Sequence, residues 1–502
     1  MESNLGFHGF TAYQNVFTKT ITLSESQDSV VPDTLPDIAA ILCTSGCVLI
    51  RSKDVAEGHV RLEANIPARV CCSGEGDGPG YCLDVNVPFF ISAEDDAIRE
   101  GSACTAELTL KHLEARMLNP RKISVRAEIC ADVKCYSEAG ETFSTAPQEE
   151  SSVIHALEQT ADLTAISCVT EKTFVLTDEF ELPPDRNDIV EILSQNADVL
   201  VQDMRSIGSK LILKGTARSA LIVRTESGEL ESLQFQTEFS QIVETQTETE
   251  NALFEARMLT SGMYYELTGE TEEKTVSMEL HLVAQVIVYT QRQVCFLADA
   301  YSNSHALEIR RQQREIEHFD REVIHRETVG AEVETAGGVN AVIACSAAPV
   351  GWTRDGEAIS VQLLIRLCWK SGSSICSAER TVCKRIALEM GEEELRICGI
   401  AAADLSAAAG QNGAALRITL EVRGFAVTRR QLDCISAIEY DEAMPLDQED
   451  RPSLVILYPR AFGDLWTLAK ENCSTVEAIC AANALDGDAW PADRLLLIPK
   501  MI

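Results

Sequence analysis

Residues 74–80, Gly-Glu-Gly-Asp-Gly-Pro-Gly, are the first candidate for chemistry in this sequence. A phosphate-binding loop needs a following helix whose N-terminus meets the anion, and usually a lysine. Here a strand-like run follows instead, and Glu75 and Asp77 would repel phosphate. We therefore interpret the stretch as an acidic hairpin turn.

The histidines and serines show no other catalytic pattern. The eight histidines are scattered, and His318 and His325 stand seven residues apart, without the His-Glu-x-x-His spacing of a zinc site. No Gly-x-Ser-x-Gly nucleophile elbow occurs. We expect no catalytic residues, no cofactor and no enzymatic activity. An enzyme concealed within a repeat stays as an alternative.

The eighteen cysteines do not form a recognisable metal-binding set. No two have Cys-x-x-Cys spacing, and many lie in apolar runs such as 70–72 and 367–369. A buried cysteine behaves as a small hydrophobic residue. The pattern predicts reduced, mostly buried thiols and no structural metal.

The charge of the chain bears on its partners. The 43 Lys and Arg residues against 78 Asp and Glu give a net charge of −35, which would repel nucleic acid and anionic membranes. The acidity either serves solubility or matches a basic partner surface. The sequence shows no secretory signal and no apolar run of the ~18 residues that a membrane span requires. We expect no nucleic-acid binding, no membrane insertion and a cytoplasmic location.

Two long segments repeat each other. Residues 36–42 (Pro-Asp-Ile-Ala-Ala-Ile-Leu) resemble 187–193 (Asn-Asp-Ile-Val-Glu-Ile-Leu), and the shift from Asp37 to Asp188 is 151 residues. At nearly the same shift, the turn at Gly76 matches the turn at Gly228. A fixed period predicts repeated structural modules. We predict that both segments have one fold and one strand order, and that a diverged third copy includes 350–369 and 416–422.

Each module is predicted to open with a helix and to continue as antiparallel strands. Apolar residues at helical spacing predict the helices: Ile38, Ile41 and Leu42, then Ile189, Ile192 and Leu193. Period-two alternation predicts a hairpin over 211–235 and a closing strand through Met278, Leu280 and Leu282. The expected fold class is mainly β: tandem antiparallel β-sheet or sandwich modules followed by a small β-α-α-β domain.

The expected domains are 12–140, 158–295 and 300–440 for the repeats, 441–452 for an acidic linker, and 453–502 for the final domain. The polar stretches 137–150 and 440–452 are predicted to be links between domains. The acid-rich run 241–250 is predicted to be an exposed strand edge or loop.

The last fifty residues have a different pattern. Residues 454–458 and 495–499 are strand-like, Asp464 precedes an apolar helical stripe at 465–470, and Thr475 is placed to cap a helix at 476–483. We predict that Trp466 lies in the core of this small domain, because so short a domain needs its few large apolar groups inside.

This segment resembles a LysM domain along its whole length. The matching residues are Gly463, Asp464, Leu465, Trp466, Ala469, Lys470, 474–477, 483–485 and 497–499. The family usually has Gly-Asp-Thr-Leu-Trp, and this chain has one residue fewer in the loop that helps glycan-binding members hold N-acetylglucosamine. The resemblance implies that the binding residues are Phe462, Gly463, Asp464, Asn483, Ala484, Leu485 and Trp490.

The repeats resemble SPOCS domains, and the arrangement with a terminal LysM domain resembles the SipL-like family of spore coat morphogenetic proteins. The opening at 36–42, the hairpin, Phe89, Phe90 and Phe239 after it, and the closing strands ending in Tyr136 and Tyr289 carry the likeness.

That resemblance implies a non-enzymatic adaptor in spore coat assembly. Its LysM domain would dock on a coat basement-layer protein, the morphogenetic ATPase or another coat protein, at the forespore surface in the mother-cell cytoplasm. The alternative is a peptidoglycan- or cortex-binding protein whose LysM domain holds N-acetylglucosamine-containing glycan. The absence of a visible export signal favours the adaptor.

Overall fold

The structure is a computed structural model and is mainly β. It describes residues 4–75, 80–147, 154–183, 186, 188–247, 249–269, 274–335, 338–372, 374–388, 393–410, 412–446, 453–458, 464–485 and 495–500. The strands of the first half are β1 (Leu5–Val30), β2 (Ile38–Ser45), β3 (Leu49–Ala56), β4 (His59–Gly74), β5 (Tyr81–Glu94), β6 (Ala103–Asn119), β7 (Lys122–Pro147), β8 (His155–Glu181), β9 (Ile189–Ile207), β10 (Lys210–Thr225) and β11 (Leu230–Glu244). The remaining elements are β12 (Leu253–Thr268), β13 (Thr275–Tyr301), β14 (His305–Glu334), β15 (Ala341–Asp355), β16 (Ala358–Ser371), β17 (Ser374–Ala387), β18 (Glu394–Gly410), β19 (Gly413–Pro445), β20 (Leu454–Leu457), α1 (Leu465–Glu471), α2 (Val476–Asn483) and β21 (Leu496–Pro499).

The first nineteen strands form three modules: β1–β7, β8–β13 and β14–β19. In the first module β3 and β2 pair with successive parts of β4, whereas in the other two a single strand, β9 or β15, pairs along β10 or β16. In each module the first, last and penultimate strands pair antiparallel, in the order β1-β7-β6, β8-β13-β12 and β14-β19-β18. β1 also pairs with β8, so these strands of the first two modules form one six-stranded sheet. The other strands of each module form a second sheet around a central strand. β4 pairs with β2, β3 and β5, β10 lies between β9 and β11, and β16 lies between β15 and β17. Apart from the division between β2 and β3, this agreement confirms the predicted strand order of the repeats and extends it to the third copy.

Each module packs its two sheets face to face. In the first module, Leu62 and Ile66 of β4 and Val87 of β5 are buried in one cluster with Val125 and Ile129 of β7. The third module has the same arrangement between β16 and β19. Alternate residues of both sheets therefore fill a sandwich core, as the period-two pattern predicted.

The hairpin of the second module lies where the sequence placed it. β10 and β11 pair from Lys210–Glu244 to Arg224–Leu230, and Gly228 occupies the left-handed region at φ 82° in the connecting turn. Its backbone N–H donates to the Thr225 carbonyl at 2.9 Å. The matching turn at Gly76 lies outside the described residues.

The predicted opening helices are wrong: both segments are strands. β2 pairs with β4, and β9 pairs with β10. The pairing skips Ala39 and Leu42 in β2, and Val190 and Leu193 in β9, at bulges that recur at the 151-residue shift. A bulge adds one residue and re-aims the side chains that follow it. Apolar residues three apart can therefore share one face of a bulged strand, and this spacing is the same as the one that predicts a helix.

The predicted links between domains also need correction. Residues 137–147 belong to β7 and pair with β1, from Gly6–Thr145 to Gln14–Ser137, and Phe143 is buried. Likewise β19 continues to Pro445, while 447–452 lie outside the described residues. The boundaries expected at 140 and 440 thus fall within long strands. Those strands have antiparallel partners far away in the sequence, which local polarity does not reveal.

The acid-rich run is only partly an exposed edge. Glu244 ends edge strand β11 and is exposed, but Thr245 and Thr249 are buried. Their hydroxyls donate to the Ser209 carbonyl at 2.9 Å and to the Gly208 carbonyl at 2.6 Å. The threonines therefore fasten this turn to the β9–β10 hairpin.

The three modules contact one another pairwise. β4 lies against β9, β11 against β15, and β17 against β2. At their meeting point one apolar cluster joins the sheets β2–β5, β9–β11 and β15–β17. We call it the central junction, and it includes Leu42, Cys43, Cys71, Cys82, Leu193, Ile222, Ile343 and Cys368. Leu42, Leu193 and Ile343 are the residues that bulges in β2, β9 and β15 leave out of the ladder. The bulges thus supply the apolar contacts between modules.

Candidate partner-binding site

The C-terminal segment, residues 453–500 where described, has the predicted order of strand, helix, helix, strand. β20 and β21 pair antiparallel, from Leu454–Pro499 to Leu457–Leu496. The apolar side chains that face inward form one cluster: Leu465, Leu468, Ala469, Ile479, Leu496 and Ile498. The helices therefore cover one face of the two-stranded sheet.

Both helices begin at the predicted capping residues. Asp464 accepts from the Thr467 N–H at 2.7 Å and from its hydroxyl at 2.9 Å. Thr475 accepts from the Ala478 N–H at 3.0 Å. Such caps satisfy the N–H groups that a helix leaves unpaired in its first turn.

Residues 483–485 hold the end of α2 against β21. The Asn483 amide nitrogen donates to the carbonyls of Ile479 at 2.8 Å and Leu497 at 2.6 Å, and its oxygen accepts from the Leu497 N–H at 2.8 Å. Ala484 ends the helix in the left-handed conformation, at φ 49°. Leu485 packs against the segment's core. The Asn483-Ala484-Leu485 sequence therefore has a structural role in this chain.

The seven predicted binding residues are divided by this geometry. Four of them have structural roles: Asp464 caps α1, Asn483 joins α2 to β21, Ala484 ends α2, and Leu485 packs against the core. The other three, Phe462, Gly463 and Trp490, lie outside the described residues. The role of the seven residues in binding stays a prediction.

Sequence reasoning missed the outer face of the β20–β21 sheet. Ile456 is 59% exposed and Leu495 60% exposed, and Leu454, Tyr458 and Leu497 are exposed as well. Ile456 and Leu497 are direct cross-strand partners. The signal lay in the unbroken apolar runs at 454–457 and 495–498, which are typical of strands covered on both faces. The helices cover only one face.

The prediction that Trp466 lies in the core of the segment is wrong. Trp466 is half-buried and lies at the contact with the second module. Its ring meets that of Tyr301 edge-on, with centroids 4.8 Å apart, and its Nε1 donates to Asp299 Oδ2 at 2.9 Å. The buried stripe of α1 runs through Leu465, Leu468 and Ala469, so Trp466 points toward the end of β13 instead.

Asp299 is the polar centre of this contact. Lys470 Nζ lies 2.7 Å from its Oδ2, and Arg311 Nη2 lies 2.9 Å from its Oδ1. Burial acts to raise the pKa of the Asp299 carboxyl, but hydrogen bonds from Lys470 and Trp466 outweigh it, so the pKa lies below its ordinary value. The ionised carboxylate of Asp299 thus stabilises the contact between the C-terminal segment and the second module.

The two histidines considered in the sequence as metal ligands each lie near an acidic side chain. His318 and His325 lie near Asp320 and Glu327, at 3.8 and 3.7 Å. Among the residues that the structure describes, no group of three or more His, Cys, Asp or Glu side chains is placed to hold a metal ion. In the same part of the chain, no helix is long and apolar enough to cross a membrane.

Comparisons with known proteins add no further assignment. No family model, no curated protein and no solved structure matches this chain. The apolar outer face of the β20–β21 sheet is therefore the strongest indication of binding in the C-terminal segment.

Proposed function

We propose that this chain is a non-enzymatic adaptor in spore coat assembly. Its C-terminal segment would be a LysM domain that docks on a coat basement-layer protein, the morphogenetic ATPase or another coat protein, at the forespore surface in the mother cell. The strand, helix, helix, strand order and the helix caps at Asp464 and Thr475 support the domain assignment. The likeness of the repeats to SPOCS domains supports the biological setting.

The exposed apolar face of the β20–β21 sheet carries the proposal. Leu454, Ile456 and Leu497 form a contiguous surface of large side chains, with Tyr458 and Leu495 at its ends. Apolar surface of this kind is stabilised when a partner removes it from water, at about 25 cal/mol per Å². A flat face of leucine and isoleucine suits a protein surface better than a hydroxyl-rich glycan.

The charge of the chain indicates what kind of surface the partner should have. At −35 the chain attracts basic surfaces and repels acidic ones. The partner surface should therefore have an apolar centre and an excess of Lys and Arg around it. Charge would speed the encounter, and the apolar contact would supply most of the affinity.

The test measures binding of the full chain to two probes, the purified coat morphogenetic ATPase and purified peptidoglycan sacculi. Ile456→Ser should weaken binding to the ATPase at least tenfold, because a polar group replaces the centre of the apolar face. The matched control is Ile324→Ser, since Ile324 is also exposed but lies on β14. Equal binding by both variants, or binding to sacculi and not to the ATPase, would overturn the proposal.

A further inference from the structure

Four cysteines meet at the central junction, although they are far apart in the sequence. Cys43 of β2 lies directly opposite Cys71 of β4, and Cys71 lies directly opposite Cys82 of β5. Cys72 points the other way, into the core of the first module. Cys43, Cys71 and Cys82 therefore form a row on the sheet face toward the other modules. There they share a cluster with Cys368 of the third module.

The repeat explains how Cys368 reaches this row. Cys71, Ile222 and Cys368 occupy equivalent positions of β4, β10 and β16, opposite Cys43, Ser194 and Ala344 respectively. The three modules surround the junction, so equivalent positions converge on it. Cysteine in two of the three copies places thiols of the first and third modules side by side.

A cavity gives access to one pair of these thiols. It has a volume of about 550 Å³ and is lined by three cysteines, Cys43, Cys345 and Cys368, but not by Cys71 or Cys82. Arg366 also lines it, and its Nη2 is buried without a hydrogen-bond partner in the described structure. A small polar oxidant that enters the cavity would meet Cys43, Cys345 and Cys368. Burial raises the pKa of the Cys345 thiol to about 12, which disfavours its reactive thiolate form.

The hydrogen bonding within the cluster favours Cys43 as the nucleophile. Hydrogen bonds from Cys368 and Cys71 lower the pKa of the Cys43 thiol, while burial opposes the shift. The pKa values of the Cys368 and Cys71 thiols are raised, chiefly by their hydrogen bonds to Cys43. The thiolate is the form of cysteine that reacts with peroxides and disulfides.

We propose that Cys43 and Cys368 are an oxidation site for peroxides, at which a disulfide covalently joins the first and third modules. The Cys43 thiolate attacks hydrogen peroxide, which leaves a sulfenic acid on Cys43 and releases hydroxide. The Cys368 thiol then attacks that sulfur, forms the S–S bond and releases water. In total, two thiols and one peroxide give one disulfide and two waters. The bond closes a loop from residue 43 to residue 368 and so restricts separation of the modules.

The experiment treats the reduced full chain with hydrogen peroxide, blocks the remaining thiols under denaturing conditions and maps linked peptides by mass spectrometry. We expect a Cys43–Cys368 peptide in most molecules and faster migration on a non-reducing gel. Cys43→Ser and Cys368→Ala should each abolish both signals. The matched control Cys383→Ser should keep them, because Cys383 is exposed on β17, outside the cavity.

Mapping the disulfide-linked peptides of the wild-type chain tests the proposed pairing of Cys43 with Cys368 even if a variant fails to fold. A dominant Cys43–Cys71 or Cys71–Cys82 linkage would overturn the pairing between modules. Reaction at Cys383 while Cys43 stays reduced would overturn the oxidation site itself.

Discussion

The hydroxyl of Tyr301, at the end of β13, donates a 2.9 Å hydrogen bond to the carbonyl of Ser474, in the turn between α1 and α2. Ser474 is fully buried, and Tyr301 is 6% exposed. The ring of Tyr301 also packs on Trp466 and belongs to the cluster that forms the segment's core. One residue of the second module therefore helps to complete the C-terminal segment.

Tyr301→Phe should loosen the C-terminal segment without unfolding the modules. The change leaves the buried Ser474 carbonyl without this donor, at a cost of about 1–3 kcal/mol. Hydrogen exchange of the full chain should show faster exchange in α1 and α2 and unchanged exchange in β4 and β10. Tyr264→Phe is the control, since Tyr264 is exposed on β12. Equal hydrogen exchange of α1 and α2 in the two variants would mean that the Tyr301–Ser474 hydrogen bond does not stabilise the docked C-terminal segment.

Acid should weaken the same contact through Asp299. The pKa of its carboxyl is lowered in the folded chain, so the contribution is fully present above the ordinary Asp value of about 3.9. It is lost as pH falls through the lowered folded pKa. Protease cleavage between the third module and β20 should therefore increase below about pH 4. In Asp299→Asn, cleavage should already be high at neutral pH and should change less with acid.

Truncating a side chain should destabilise the segment strongly on the inner face of the β20–β21 sheet and hardly at all on the outer face. Ile498 is fully buried, so Ile498→Ala should cost about 2–5 kcal/mol and expose α2 to hydrogen exchange. Ile456 lies on the outer face, so Ile456→Ala should stay within about 0.5 kcal/mol of wild type. A large loss of protection in Ile456→Ala would show that this face is needed for folding and is not free for a partner.

Sequence patterns predicted the β architecture well where the ladders are regular. The alternation of Met278, Leu280 and Leu282 located β13, and Gly228 located a hairpin turn. The positions of the β-bulges were missing. Bulges at Leu42 and Leu193 imitate helical spacing, because an unpaired residue breaks the period of two.

The candidate site was predictable only in part. Asp464 and Thr475 could be placed as caps, because capping follows from local sequence. The contact of Trp466 with Tyr301 joins residues 165 positions apart, and the convergence of Cys43 with Cys368 depends on the packing of whole modules. Neither follows from spacing along the chain.

Glu421→Ala should destabilise the third module more than any exposed acid would. Glu421 is 1% exposed on β19 and pairs with Arg423 and with Arg326, whose Nη2 lies 2.6 Å from its Oε2. Removing the carboxylate leaves the mostly buried Arg423 with only distant or neutral partners, and breaking such a pair costs about 3–5 kcal/mol.

Hydrogen exchange along β19 provides the measurement, with Glu332→Ala on β14 as the control, because Glu332 is exposed. Glu421→Gln should fall between wild type and Glu421→Ala, since its amide oxygen still accepts a hydrogen bond although the charge is gone. If β19 is protected from hydrogen exchange equally in Glu421→Ala and Glu332→Ala, then water solvates the arginines well enough to replace the carboxylate. In that case this buried ion pair would not stabilise the module.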